Sequence, residues 1–172
     1  HCQCLPPAAM GNGSSVDDST HQHVKSEFKR LAGEQDTLAV TQCTGLRLPA
    51  GVRLSLSHLP TLYCMDRDKR GRVSQEDVLS VLSSAHVTTA AVDAGGSDRQ
   101  ELIAGHFTRL LCEDLMRPRG QDRFARWLVA CCTALQPTVT MSTGRRRVEM
   151  LHVDAVQVVV ERLGIVAMGG MS

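Results

Sequence analysis

Apolar residues recur at intervals of three and four positions along most of this chain, which is the spacing of one face of an α-helix. Within residues 20–32, Val24, Phe28 and Leu31 fall at i, i+4 and i+7. The longest segment of this kind covers residues 97–116. Its apolar side carries Ile103, Phe107, Leu110, Leu111 and Leu115. The pattern therefore predicts amphipathic helices as the main elements of the fold.

Shorter apolar patterns predict four further helices. They are expected at residues 57–65, from residue 74 onward, at residues 123–135 and at residues 148–163. Ser74, followed three residues later by Asp77, predicts a capping box at the start of the second of these. No segment alternates convincingly over a strand length, although the β-branched run at residues 156–160 leaves the last segment open between helix and strand. The sequence thus predicts an all-α fold of about six helices.

Breaks between these patterns divide the chain into segments. The predicted segments are a flexible N-terminus at residues 1–19, a first helical unit at 20–90, a linker at 91–97 and a second helical lobe at 98–172. The linker is predicted from its small and glycine-containing composition. Residues 1–9 are set aside from the fold prediction, because Met10 is the first methionine and offers a start of translation.

Composition and charge narrow the class of protein. Apolar residues make up 42% of the 172 residues and charged residues 22%, which is ordinary globular usage. The formal net charge of +1 gives no reason to expect nucleic-acid binding. Seven cysteines at irregular spacings favour reduced thiols in the cytoplasm. The sequence contains no glycine-rich phosphate loop and no nucleophile elbow, so we predict that the protein is not an enzyme.

The stretch MDRDKRGRVSQED, residues 65–77, has the spacing of a calcium-binding loop. Such a loop holds its ion through positions 1, 3, 5, 7, 9 and 12 of twelve residues, with a glycine at position 6. With Asp66 at position 1, positions 3, 5, 6, 7, 9 and 12 are Asp68, Arg70, Gly71, Arg72, Ser74 and Asp77. The apolar faces of the flanking helices are predicted to carry Leu62, Met65, Val78, Val81 and Leu82.

The same loop has features that weaken ion binding. Arg70 places a cation where an oxygen donor is expected, and Asp77 is one methylene shorter than the usual glutamate, which favours Mg²⁺ as a competitor of Ca²⁺. Its acids Asp66, Asp68, Glu76 and Asp77 are balanced by the bases Arg67, Lys69, Arg70 and Arg72. Two alternatives stay open: weak binding of Ca²⁺ or Mg²⁺, or a neutral, salt-bridged turn that keeps the fold without a metal.

Calcium-binding loops of this kind pair through a short strand that needs a partner. Upstream, residues 31–42 can be aligned as a collapsed partner loop, which places Leu38 opposite Val73. Downstream, Gly120 and the helix after it resemble the exit half of a third unit with its loop at residues 115–126. Basic residues occupy most of the ligand positions of that third loop, and they argue against cation binding there.

Together these features resemble a divergent EF-hand protein. The M-G-N start, the helix carrying FKRLAGEQDTL and the paired units are similar to the calcineurin B and tescalcin-like group of myristoylated calcium sensors. The resemblance implies EF-hand-like helix-loop-helix pairs that form an apolar groove for a partner protein's amphipathic helix. It implies ion contacts at Asp66, Asp68, Arg72 through its carbonyl, Ser74 and Asp77. It also implies a lipid on Gly11, with Ser15 at the position that the myristoylation signal requires.

Two functions follow from this resemblance. The first is a calcium-binding regulatory or sensor protein that binds a partner helix, with weak Ca²⁺ or Mg²⁺ binding at one loop. The alternative is a metal-independent, EF-hand-derived adaptor subunit of a larger assembly. Because one myristoyl chain gives only marginal and reversible membrane binding, we expect a cytoplasmic or peripheral membrane protein.

Overall fold

The computed structural model describes residues 16–48, 58–90, 96–136 and 139–163, and these residues are mostly helical, as predicted. In chain order the elements are α1 (Asp18–Ala32), β1 (Thr37–Ala39), a 3₁₀ helix (Val40–Gly45), α2 (Leu59–Met65), β2 (Arg72–Ser74), α3 (Gln75–Ala90), α4 (Gly96–Met116), α5 (Gly120–Leu135), β3 (Val139–Thr143), β4 (Arg146–Met150) and α6 (Val153–Arg162). The strands form two antiparallel pairs, β1 with β2 and β3 with β4.

The first helix confirms the apolar spacing on which it was predicted. Val24 and Phe28 are buried on one face of α1. Asp17 caps the N-terminus by accepting a hydrogen bond of 2.8 Å from the backbone N–H of Thr20. Gly33, at a φ of 62°, ends the helix, and its N–H donates to a carbonyl of the last turn. The local sequence therefore sets both ends of this element.

One hydrophobic core joins the first part of the chain, the predicted unit at residues 20–90, to the second part, the predicted lobe at residues 98–172. Buried side chains from the first part are packed in the same cluster as buried side chains from the second. The largest fully buried ones are Trp127, Phe107, Leu38, Leu62, Met65 and Leu163. Helix α4 packs against α2 and α3, and α5 packs against α6 and β1. The contact of α5 with the first part of the chain shapes the loop at residues 66–77, which is the candidate site described below.

The prediction of a helix at residues 148–163 is wrong for its first residues. β3 and β4 form a hairpin in which Thr143 pairs with Arg146 across a two-residue turn. Gly144 has a φ of +61°, and a glycine at the first central position favours a tight hairpin turn. The helix begins only at Val153, and the β-branched run at residues 156–160 lies within it.

The prediction of a third loop at residues 115–126 is also wrong. Only three residues, 117–119, separate α4 from α5. Arg119 has a φ of +60°, and a side chain on Gly120 would place a Cβ 2.0 Å from the carbonyl oxygen of Asp114. This tight corner leaves no room for a twelve-residue loop, because both of its flanks are helical.

Several sequence predictions fall on other parts of the chain. Gly11, the predicted lipidation site, lies outside the described residues, as do residues 1–15 and residues 91–95 of the predicted linker. Residues 96 and 97 of that linker belong to α4. In the part of the chain that the structure describes, no helix combines the length and apolar character needed to cross a membrane.

Candidate functional site

The candidate site is the loop at residues 66–77, which connects α2 to α3. Asp66 follows the last residue of α2, and its backbone N–H still donates to the carbonyl of Leu62 at 3.2 Å. Gly71, at a φ of +75°, makes the turn that leads into β2. Both flanking helices bury their predicted apolar faces: Leu62, Met65, Val78, Val81 and Leu82 are all in the core. The loop is therefore anchored at both ends by packing.

The strand pairing predicted for this loop is confirmed. Leu38 lies opposite Val73 in the antiparallel pair of β1 and β2. Both side chains are buried. Just before β2, the carbonyl of Gly71 accepts a hydrogen bond of 2.9 Å from the N–H of Val40. These contacts hold the second half of the loop in an extended conformation against the segment after α1.

Asp66 is fully buried and is held by three N–H groups of the protein. Its Oδ2 accepts hydrogen bonds from the backbone N–H of Gly71 at 2.6 Å and from the indole Nε1–H of Trp127 at 2.9 Å. Its Oδ1 accepts from the backbone N–H of Arg70 at 3.2 Å. Burial raises the pKa of the carboxyl group, and these hydrogen bonds together with Lys69 partly oppose that rise. Protein N–H groups thus use three of the roughly four lone-pair sites of the first predicted ion contact.

Trp127, the only tryptophan of the chain, belongs to α5 and is fully buried. Its ring meets the ring of Tyr63 edge to face, with centroids 5.1 Å apart. Phe124, one turn earlier on α5, lies against both rings. The sequence places this tryptophan only within the helix predicted at residues 123–135. Its contact with Asp66 was not predicted, because the two residues are far apart in the chain.

Asp77, the last predicted ion contact, is bound at both oxygens. Oδ1 forms an ion pair with Nε of Arg67 at 3.0 Å, and Oδ2 accepts from the backbone N–H of Ser74 at 2.9 Å. In return, Oγ of Ser74 accepts from the N–H of Asp77 at 3.2 Å. The predicted capping box is therefore confirmed. The side chains of Ser74 and Asp77 thus serve as helix caps for α3.

Lys69 brings a positive charge into the first half of the loop. This residue has a φ of +54°, and its ammonium group lies 3.9 Å from the centre of the Tyr63 ring. The ammonium donates to the backbone carbonyl of Tyr63 and, at 2.8 Å, to that of Asp66. Burial lowers the pKa of this lysine. Its side chain satisfies carbonyl groups left open at the end of α2.

The remaining predicted ion contacts are Arg72 and Asp68. Arg72 lies in β2 opposite Ala39, and its guanidinium donates to Oγ1 of Thr37 at 2.8 Å and to Oε1 of Gln35 at 3.0 Å. Asp68 is exposed. The guanidinium therefore ties the loop to β1, whereas Asp68 stays at the surface.

The backbone of α5 lies directly against the loop. A Cβ built on Gly71 would be 2.3 Å from the carbonyl oxygen of Ala130 and 2.6 Å from the amide nitrogen of Cys131. Only glycine permits this approach, because any larger residue would overlap the helix backbone. The position of α5 and the shape of the loop are thus fixed together.

The oxygen atoms of the predicted ion contacts are not arranged to bind a cation in this structure. Asp66 and Asp77 are hydrogen-bonded to the protein, Arg67 and Lys69 place positive charge beside them, and Asp68 points to solvent. Among the described residues, no group of three or more histidine, cysteine, aspartate or glutamate side chains is arranged to hold a metal ion. The site is therefore a loop whose two end acids, Asp66 and Asp77, are paired with groups of the protein itself.

Comparison with known proteins adds no relative of the chain. No family model matches it, and neither the curated proteins nor the solved structures give a match. The likeness to EF-hand proteins therefore stays a prediction from the sequence.

Proposed function

We propose that this chain is an EF-hand-derived helical adaptor that binds a partner protein without a divalent cation. The observation that carries the proposal is the state of the two acids at the ends of the loop. Asp66 accepts from Trp127, and Asp77 is paired with Arg67. A sensor needs these carboxylates for its ion, whereas an adaptor needs only the shape of the loop. Of the two functions suggested by the sequence, the second therefore has the stronger support.

The register of the first part of the chain supports the EF-hand-derived part of the proposal. β2 follows a glycine with positive φ and pairs with β1 through Val73 and Leu38. A helix precedes each of these strands, and α3 follows β2 directly. This order fits a pair of helix-loop-helix units, the first of which has lost its ligands.

Exposed apolar side chains support the partner-binding part of the proposal. Met141 and Met150 on the hairpin are 50% and 48% exposed, and Val153 at the start of α6 is 74% exposed. Methionine adapts its shape to different partners, and the three side chains are candidates for a contact with a partner protein. An amphipathic helix of a partner protein is the occupant that the sequence resemblance implies.

The location of the protein is part of the same proposal. We place the adaptor in the cytoplasm, with reversible membrane association if Gly11 carries a myristoyl group. No catalytic step is proposed.

Ion independence can be tested directly on the whole chain. We expect no saturable heat when Ca²⁺ or Mg²⁺ is titrated to roughly millimolar concentration, because both loop acids are already engaged. The melting temperature should be the same in Ca²⁺ and in chelator, since an ion that bound only the folded state would raise it. Saturable binding of about one ion with a rise in melting temperature would support the sensor instead.

Partner binding can be tested by comparing two surface variants. Val153→Glu places a charge at the most exposed of the three apolar side chains on the hairpin and α6, whereas Asp154→Ala alters an exposed polar residue of the same helix. In affinity capture followed by mass spectrometry, we expect proteins that bind the wild type equally in Ca²⁺ and in chelator. Val153→Glu should lose these proteins and Asp154→Ala should keep them. Partners that bind only in Ca²⁺ would contradict the proposal.

A further inference from the structure

We propose that Trp127 and Arg67 hold the two ends of the 66–77 loop in place of a cation and thereby keep divalent ions out of it. We call the two contacts, from Trp127 to Asp66 and from Arg67 to Asp77, the loop latch. The inference rests on the proposed function, since it explains how an EF-hand-like loop keeps its shape without an ion. The inference gives Trp127 of α5 a role that the sequence of the loop does not predict.

The contact at the first end of the loop is buried and specific. A carboxylate oxygen has two lone pairs, and those of Oδ2 are both used, by the N–H of Gly71 and the indole N–H of Trp127. The tryptophan ring is fixed by its packing on Tyr63. Turning Asp66 toward an ion would leave these donors without an acceptor in a site with no exposed surface. We expect this to lower cation affinity by about tenfold or more.

The contact at the second end is weaker. Arg67 is 57% exposed at its side chain, while Asp77 is 15% exposed. Ion pairs with an exposed partner contribute little, because water and salt screen them. An ion at this end must nevertheless displace the guanidinium before it can use Oδ1 of Asp77. Trp127 is therefore the stronger of the two parts of the latch.

The latch also links the loop to α5. The close approach of Gly71 to Ala130 shows that α5 packs against the loop within one helical turn of Trp127. A movement of α5 away from the loop would release Asp66 and open a lone pair toward the loop interior. The cation affinity of the loop is in this way set by the docking of a helix from the other part of the chain.

The test is a set of five variants of the whole chain, two single, one double and two controls, titrated with Ca²⁺ alone by calorimetry. Trp127→Phe keeps an aromatic ring but removes the N–H, and Arg67→Gln removes the guanidinium. We expect the double variant to bind one Ca²⁺ at least about tenfold more tightly than the limit set for the wild type. Arg126→Gln makes the same charge change at an exposed residue outside the loop, and Phe124→Leu alters the same aromatic cluster. Neither control variant should gain binding.

The outcomes separate this inference from the proposed function. No binding by a folded double variant, as judged by circular dichroism, would overturn the latch and leave the metal-independent adaptor in place. Binding by the wild type would overturn the adaptor, and the latch would stand only if Trp127→Phe tightened that binding. Equal gains in the controls would show a general effect of charge or packing and would overturn the latch.

A measurement on the wild type keeps the inference testable if the double variant does not fold. The chain has one tryptophan, so its indole N–H gives a single resonance in the NMR spectrum. We expect slow hydrogen exchange at this group, because it is buried and donates to Asp66. Exchange as fast as that of an exposed indole would overturn the latch without any variant.

Discussion

Gly71→Ala is expected to lower the free energy of unfolding by about 3 kcal/mol. A backbone at a φ of +75° disfavours any side chain, which costs about 1–2 kcal/mol. In addition, the new Cβ would be 2.3 Å from the carbonyl oxygen of Ala130, and overpacking of this kind costs about 1–3 kcal/mol. The obstacle is helix backbone, which cannot rotate away as a side chain can. Chemical denaturation followed by circular dichroism measures the change.

Gly33→Ala is the matched control for this substitution. Gly33 also has a positive φ, of 62°, but a Cβ there would have nothing within 4 Å. At φ 62° and ψ −118°, outside the left-handed helical region, its replacement should cost about 1–3 kcal/mol of backbone strain without any overlap. A Gly71→Ala variant that lost no more than about 1–2 kcal/mol, the strain of its own positive φ, would show that the close contact between the loop and α5 does not contribute to stability.

Asp66→Ala is expected to destabilise the protein by about 3 kcal/mol when the measurement is made in chelator. The substitution removes the acceptor of the Trp127 indole and of the Gly71 amide inside a fully buried site. Each buried donor left without a partner costs about 1–3 kcal/mol. Burial raises the pKa of this carboxyl group, which shows that its charged form is disfavoured by desolvation. Removing the group relieves that desolvation and offsets part of the destabilisation. The loss of the hydrogen bonds dominates because both oxygens are used.

Asp68→Ala is the control, since Asp68 is an exposed acid of the same loop. We expect a change within about 0.5 kcal/mol, as is usual for surface substitutions. Asp66→Asn should fall between the two, because its amide keeps one oxygen as an acceptor. The contrast with an ion site is sharp. If Asp66 were an ion ligand without a structural role, Asp66→Ala in chelator would leave stability unchanged or increased.

The second strand of the hairpin β3–β4 takes the place of the first residues of the predicted last helix. Val139 and Met141, and then Val148 and Met150, alternate with polar residues around Gly144, which is a strand signal. The apolar spacing of the helix that follows extended the predicted element across β4. A short strand has few residues over which alternation can be distinguished from a helical pattern.

The contacts of Asp66 and Asp77 show a second limit. The sequence predicts that both acids belong to one loop, and the balance of acids and bases in the loop leaves a salt-bridged turn open as an alternative. The capping box of Ser74 and Asp77 was predictable because both partners lie within one helical turn. The choice of Arg67 as partner of Asp77, rather than another arginine of the loop, depends on the loop conformation.

The sequence by itself determined the local features of this protein: the main helices, the cap of α3, the glycine turn and the pairing of Leu38 with Val73. These depend on residues close in the chain or on side chains of matching character at set positions. Only the tertiary structure decided which groups pair with the acids of the loop. Trp127 lies 61 positions after Asp66, and their hydrogen bond forms because the packing of α5 against Gly71 brings the indole to the carboxylate. Contacts of such separation are fixed by the packing of the whole core, and no local pattern encodes them.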